Sequence, residues 1–252
     1  MKYYFLASYL PEIHLEDRRM KYPSAELFQE RFHIAPRDWR EVDLVLLRGD
    51  VSILEALLAG KTPKAAYSLF DPNYWSAQLK SPSEGPDFLV EFLRDRGMGP
   101  MSAAEIGALY LAYLEYVRKN SSRKFLKDYF QLEMDLRNVA AALRARKKGW
   151  DPANHLVGEG DLVESAAVSK ADDFGLTQDY PWVETLLAAG SPREIQEAVE
   201  KILWESLESA RGADPFDFDN ILAYLLKAQI LEKRLSLNEE QGLEIVQELE
   251  GR

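Results

Sequence analysis

Residues 122–148 have the sequence SRKFLKDYFQLEMDLRNVAAALRARKK, and this stretch decides the fold class. Its large apolar side chains recur at intervals of four, three, four, three and four residues. They are Phe125, Tyr129, Leu132, Leu136, Val139 and Leu143. Such spacing places the apolar side chains on one face of an α-helix. The stretch therefore predicts one long helix, packed as part of a helical bundle.

Asn138 lies in the middle of this predicted helix, where asparagine is uncommon because its amide competes for backbone hydrogen bonds. The other residues of its stripe are mostly small, and small side chains allow a second helix to approach closely. They are Met134, Ala141, Ala142 and Ala145. We therefore expect Asn138 to bind free backbone groups of a neighbouring helix end or loop. The alternative is an exposed asparagine without a partner.

The remainder of the chain also carries helical signals. Capping residues are followed three positions later by Glu or Gln, which is typical of helix starts. These pairs are Ser102 with Glu105, Ser191 with Glu194, and Asn238 with Gln241. Alternating runs and hairpin turns typical of strands are scarce. The sequence predicts an all-α protein of about ten helices.

Two connecting stretches suggest the domain organisation. Residues 71–86 are rich in Pro, Ser and Gly, and residues 149–161 contain several glycines and a proline. Such stretches commonly connect helical segments. They divide the chain into helical lobes at 1–80, 81–155 and 156–252. These segments could also form one continuous domain.

Two helical stretches share a short motif. Asp135-x-x-Asn138 is followed by an aliphatic residue, and so is Asp217-x-x-Asn220. A fainter copy has Ser52 at the asparagine position, which gives one copy in each of the three segments. Internal repetition of this kind predicts repeated helical units.

The motif resembles a recurring helix of a known family. Asp135-x-x-Asn138, followed by Leu143-Arg144-x-Arg146-Lys147, is similar to the motif of the C/d subunit family of rotary V-type ATPases. The stretches KYYFLASYLP (2–11) and FLKDYFQLEMDLRNVAAALRARK (125–147) resemble a small bacterial family of uncharacterised proteins encoded beside V-type ATPase genes, a divergent relative of that subunit. The chain departs from the pattern in being shorter and in having Ser52 at the motif position of its first copy.

The resemblance implies an all-helical body of repeated lobes that joins the central shaft to the membrane ring on the cytoplasmic side. It implies a non-catalytic coupling subunit or accessory protein, whose partners are protein subunits of a rotary ATPase. We expect a cytoplasmic protein that reaches the inner face of the membrane only through those partners. Asp135, Asn138, Asp217 and Asn220 are then structural residues.

Charge is unevenly distributed along the chain. The net charge is −11, yet residues 118–148 contain ten basic and three acidic side chains, so this segment is +7 and the remainder −18. An acidic protein is not expected to bind nucleic acid, which requires a positive surface. We predict that Arg137, Arg144, Arg146 and Lys147 contact an acidic partner, with a solvated helix face or internal pairing with the acidic lobes as the alternatives.

The sequence shows no catalytic signature, and we expect neither an enzyme nor a bound cofactor. Absent cysteine rules out disulfides, thiolate metal sites and cysteine nucleophiles. Glu30-x-x-His33 is only one part of a di-iron carboxylate site, so no metal is expected. No run is long and apolar enough to insert into a membrane. The alternative functions are a stand-alone helical scaffold or regulatory protein-binding module and, third, a carboxylate-dependent hydrolase.

Overall fold

The computed structural model describes residues 2–63, 67–96, 98–210 and 214–250, with residues 238–250 described as backbone. Within these ranges the chain is all-helical and contains no strand, as the sequence predicts. The helices are α1 Tyr4–Tyr9, α2 Ser24–Leu27, α3 Pro36–Leu58, α4 Pro72–Gln78, α5 Asp87–Asp95, α6 Ala103–Asn120, α7 Lys124–Lys147, α8 Asp161–Val168, α9 Val183–Ala188, α10 Pro192–Ser209 and α11 Phe218–Glu250. Short 3₁₀ helices occupy Phe28–His33 and Pro152–His155.

Two of the three predicted helix starts are present. Ser102 caps α6, with its hydroxyl accepting from the Glu105 N–H while the Glu105 carboxylate accepts from the Ser102 N–H. At α10 the Glu194 N–H donates to the Ser191 hydroxyl over 3.2 Å. The start predicted at Asn238 is wrong, because α11 is continuous through this position. No proline interrupts the chain between Phe218 and Glu250, so the helix passes through the capping-like sequence.

The chain divides into two compact units. The first consists of residues 1–42 and 204–252, and the second of residues 43–203. The division falls inside two helices, between Val42 and Asp43 of α3 and between Leu203 and Trp204 of α10. The expected lobe boundaries near residues 80 and 155 both lie within the second unit.

The first unit is built around α11. Apolar side chains are buried all around its first four turns, which is the pattern of a core helix. They are Phe218, Ile221, Leu222, Ala223, Leu225, Leu226, Ala228, Ile230 and Leu231. The Tyr3 N–H donates to the Phe216 carbonyl over 2.9 Å, and the Tyr3 ring packs on Phe218. These contacts bring the two ends of the chain together in one core.

The second unit is organised around α7, which packs against α6, α8, α9 and the Pro152–His155 turn. Leu136, Val139 and Ala142 of α7 are completely buried. A positive φ of 68° at Gly149 lets the chain turn away just beyond the helix. The helix that decides the fold class is therefore the centre of this unit.

Candidate functional site

Asn138 binds the backbone of a residue in the connection that follows α7. Its amide nitrogen donates to the Val157 carbonyl, and its amide oxygen accepts from the Val157 N–H, both over 3.0 Å. On α6, a Cβ added to Gly107 would lie 2.6 Å from Cγ1 of Val157. Val157 is thus held between the amide of α7 and the bare backbone of α6. Asn138 is almost fully buried, so this contact fixes how the connection sits between two helices.

Asn220 lies in a different local environment. It is in the first turn of α11, and its amide nitrogen donates to the Asp214 carbonyl over 2.8 Å. The Asp214 carboxylate accepts from the Phe216 N–H and pairs with Lys2 over 2.6 Å. Asn220 therefore stabilises the turn at the start of its own helix. Asn138, in contrast, lies in the middle of α7 and binds the backbone of Val157 in the following connection.

The two motif aspartates and the serine of the third copy make mainly local interactions. Asp135 accepts from the Gln131 amide over 3.0 Å, and partial burial raises the pKa of its carboxyl group. Asp217 lies 3.8 Å from the Lys2 ammonium group. The Ser52 hydroxyl donates to the Arg48 carbonyl one turn earlier. The three copies of the motif therefore place their polar groups in three different settings.

Arg137 belongs to a cluster of charges inside the second unit. Its guanidinium lies 3.1 Å from the Glu133 carboxylate and 4.1 Å from the centre of the Tyr110 ring. Arg48 of α3 reaches the same carboxylate over 3.0 Å. Burial alone would lower the pKa of Arg48, but the charge of Glu133 and the nearby tyrosines together outweigh burial and raise it. One carboxylate thus ties α3 to α7 and positions an arginine against α6.

Arg146 and Lys147 bind backbone carbonyls near the end of α7. Arg146 donates to the carbonyls of Ser169 and Ala171, and its guanidinium lies 3.6 Å from the Phe174 ring centre. Phe174 is buried and has a φ of 60°, which is uncommon for a residue with a side chain. Lys147 donates to the Gly190 carbonyl over 3.2 Å. Both side chains therefore hold neighbouring segments of their own unit.

Arg144 is the one member of the predicted partner-binding set that faces solvent without an internal contact. Its side chain is exposed and forms no ion pair within the part of the chain that the structure describes. The sequence pattern could not separate Arg144 from its neighbours, since every basic residue near a helix end looks alike before its environment is known. The four residues share one helix; Arg144 and Lys147 are exposed, but Lys147 also donates to a backbone carbonyl.

Asp50 is a fully buried carboxylate that sequence patterns did not single out. It accepts from the Leu69 and Phe70 N–H groups over 2.8 and 3.0 Å and from the Trp75 indole over 2.7 Å. Burial raises the pKa of Asp50 to about 6, while these donors oppose the shift. Asp50 fastens the segment before α4 to α3. Its role is structural, because all three hydrogen-bond donors belong to the chain itself.

The remaining titratable side chains that the sequence or burial singles out are held by groups of the chain itself. His33 lies 3.5 Å from the Glu30 carboxylate in the Phe28–His33 turn. Among the described residues no three His, Asp or Glu side chains come together as a metal site would require. Glu232 has a raised pKa because it is partly buried, and it accepts two hydrogen bonds from Ser24. Like Asp50, this carboxylate is engaged by donors within its own unit.

Exposed aromatic rings form a surface on the first unit, which we call the aromatic surface: Tyr4, Phe5, Tyr9 and Phe32. Their exposed fractions are 61%, 51%, 48% and 97%. Phe5 stacks on Tyr9 with ring centres 5.4 Å apart and lies 4.6 Å from the ring of His33, the residue after Phe32. Clustered exposed aromatic rings are typical of protein-binding surfaces. The uncharged run from Tyr3 to Leu10 was the available signal in the sequence.

The fold and these contacts define an all-helical protein with two compact units, buried polar side chains that bind other segments of the chain, and an exposed aromatic surface. The model of the family described as "Protein of unknown function (DUF2764)" matches residues 1–252, and the chain belongs to that family. Neither a curated protein nor a solved structure matches the chain. Of the helices that the structure describes, none has the length and apolar character to cross a membrane.

Proposed function

We propose that this chain is a non-catalytic binding protein that docks through its aromatic surface onto protein subunits of a rotary V-type ATPase. It would act on the central-stalk side, as a coupling subunit or an accessory protein. The proposed location is the cytoplasm, with attachment to the membrane through those subunits. The observation that carries the binding role is the exposure of Tyr4, Phe5, Tyr9 and Phe32 on one unit.

Exposed aromatic rings support docking for an energetic reason. Leaving rings in water forgoes the free energy of burial, and a few large aromatic side chains commonly supply most of the affinity of a protein interface. Phe32, exposed over 97% of its surface, contributes almost no burial to the folded chain. A partner that covers it supplies the missing burial.

The choice of partner rests on the resemblance of the Asp135-x-x-Asn138 helix and the N-terminal stretch to proteins associated with V-type ATPases. The proposal of a non-catalytic protein rests on how the buried polar side chains are used. Asp50, Glu133 and Asn138 each bind groups of the same chain, so their arrangement serves the fold.

A stand-alone helical scaffold is the second candidate function. It is favoured by the internal contacts of Arg137, Arg146 and Lys147, because these side chains bind groups of their own unit. In that case the likeness to ATPase proteins reflects ancestry, and the aromatic surface serves another protein.

The test is co-purification from gently solubilised native membranes, with a tag at the C-terminal end and mass spectrometry of the recovered proteins. Recovery of rotary ATPase subunits in stoichiometric amounts is the expected result. The Phe5→Ser/Phe32→Ser variant should reduce this recovery at least about tenfold, because each ring is an anchor residue.

A matched control replaces two exposed apolar residues outside the aromatic surface, Met98→Ser/Val168→Ser. This control should retain its partners. Recovery of the chain alone at low and moderate salt would reject the ATPase assignment and favour the stand-alone scaffold. Equal loss in both double variants would reject the aromatic surface as the docking site.

A further inference from the structure

Positive charge is concentrated where α6 and α7 meet, at a surface that we call the basic corner: Arg118, Lys119, Lys124 and Lys127. Arg118 and Lys119 lie in the last turn of α6, and Lys124 and Lys127 in the first turns of α7. Only residues 121–123 separate the helices, so the four side chains share one end of a helical hairpin. Three of the four are exposed, and Lys127 is half-buried.

The basic corner differs from the basic residues farther along α7, three of which bind groups of their own unit. Arg137, Arg146 and Lys147 are held by a carboxylate or by backbone carbonyls. In the basic corner, Lys124 pairs with Asp128, but both side chains are largely exposed, and such pairs contribute little. Arg118, Lys119 and Lys127 have no ion pair among the described residues.

Helix stability does not account for all of this charge. Cations are favourable near the C-terminal end of a helix, which suits Arg118 and Lys119. They are unfavourable near the N-terminal end, where Lys124 and Lys127 lie. The first turn of α7 also contains no acidic residue. At the start of α7, the charges of Lys124 and Lys127 therefore add to the positive field of the helix N-terminus instead of relieving it.

We infer that the basic corner binds an acidic segment of a partner protein. The chain is −11 overall, so an acidic partner is repelled by most of its surface and attracted here, which selects one orientation of approach. Membrane binding fits less well, because an amphipathic surface anchor also inserts apolar side chains. None of the exposed large apolar residues in the described chain lies between Arg118 and Lys127. The inference does not depend on the aromatic surface or on the ATPase.

The probe is a synthetic Glu/Ala peptide of roughly 15 residues, long enough to form a short helix. Its binding to the full chain is measured by fluorescence anisotropy at low salt, against a Gln/Ala peptide of equal length. The test variant is Arg118→Gln/Lys119→Gln/Lys127→Gln. The control is Lys61→Gln/Lys80→Gln/Lys170→Gln, which alters exposed lysines elsewhere in the second unit and has the same net charge.

The test variant should bind the acidic peptide roughly tenfold more weakly, while the control should bind as the unchanged protein does. Binding should also weaken as salt rises. Equal binding by the two variants would overturn the inference. So would preferential binding to vesicles of phosphatidylserine and phosphatidylcholine, lost only in the test variant, without binding of the peptide. Circular dichroism of each variant checks that its helices are intact.

Discussion

At the scale of single residues, buried polar groups join parts of this chain that are distant in sequence. Asp50, Asn138 and Glu133 are each almost completely buried, and each is bound by groups from other parts of the chain. A buried polar group that loses its partner costs about 1–3 kcal/mol. Such residues therefore exclude alternative packings that a purely apolar core would tolerate.

Asp50 should make the free energy of unfolding depend on pH in an unusual direction. Its pKa is raised by burial from 3.8 to about 6 in the folded chain, so between these values the folded state binds more protons than the unfolded state. Stability contributed by this group therefore falls as pH rises through that window. The difference is on the order of 3 kcal/mol for a shift of about two units.

The measurement is urea unfolding at a series of pH values for the unchanged protein and Asp50→Asn. The variant should lack this pH-dependent component. It should also be less stable at neutral pH, because its amide nitrogen must face one of three N–H donors. Parallel pH profiles for the two proteins would show that Asp50 does not titrate in this window.

Asn138 and Asn220 should differ in their contribution to stability. Asn138→Ala removes both hydrogen bonds between a buried amide and the half-buried backbone of Val157, so we expect a loss of about 2–3 kcal/mol. Asn220→Ala removes one bond at a half-buried position, and about 1 kcal/mol is expected. Urea unfolding measures both. An Asn220 effect as large as that of Asn138 would show that the two motif copies are equivalent after all.

At the scale of elements, α7 combines several structural functions along its length. Its first turns carry the basic corner, its middle holds the charge cluster and Asn138, and its last turn binds two neighbouring segments. Apolar periodicity predicted the helix and its approximate ends. Periodicity could not predict which charged side chains turn inward, because that depends on segments far away in the sequence, such as Ser169 and Gly190.

The end of α7 allows a direct comparison of two arginines on one helix. Arg146→Ala removes bonds to the Ser169 and Ala171 carbonyls and the contact with Phe174, so a loss of about 1–3 kcal/mol is expected. Arg144→Ala alters an exposed side chain and should change stability by less than about 0.5 kcal/mol. Thermal unfolding gives both values.

The Arg146→Lys variant separates charge from geometry. A lysine keeps the charge but cannot match the planar fork of donors that reaches two carbonyls, so it should restore only part of the stability. Full restoration by lysine would indicate that charge alone suffices. Equal effects of Arg144→Ala and Arg146→Ala would contradict the internal role of Arg146.

At the scale of the whole molecule, the helical class could be predicted from sequence, but the division into units could not. The connectors at residues 71–86 and 149–161 suggested three consecutive lobes. Compactness groups residues 1–42 with 204–252, and the unit boundaries lie inside α3 and α10, where helical sequence gives no sign of a boundary. The run of aromatic residues near the N-terminus can be read from the sequence. How far each ring is exposed depends on its contacts with Tyr22, His33 and Phe216, which the sequence does not show.

The pairing of the chain ends in the first unit predicts a selective effect of N-terminal truncation. Removing residues 2–10 eliminates the bond from Tyr3 to the Phe216 carbonyl, the Tyr3–Phe218 ring contact and the Lys2–Asp214 ion pair. The hydroxyl of Tyr3, which donates to Asp38 over 2.5 Å, is lost as well. Amide hydrogen exchange across Phe218–Leu231 should then become at least about tenfold faster, since the start of α11 loses its cover.

The internal control for this experiment is α7, which packs against α6, α8, α9 and the Pro152–His155 turn of the second unit. Exchange across Lys124–Lys147 should stay within about twofold of its rate in the unchanged chain, because the contacts described here for the deleted residues are with the first unit. Equal acceleration in α7 and α11 would mean that both units open in one cooperative step. The two compact units would then not be separate units of unfolding. Acceleration confined to α11 would show that the joined ends form a separately stabilised core, which is the core that carries the aromatic surface.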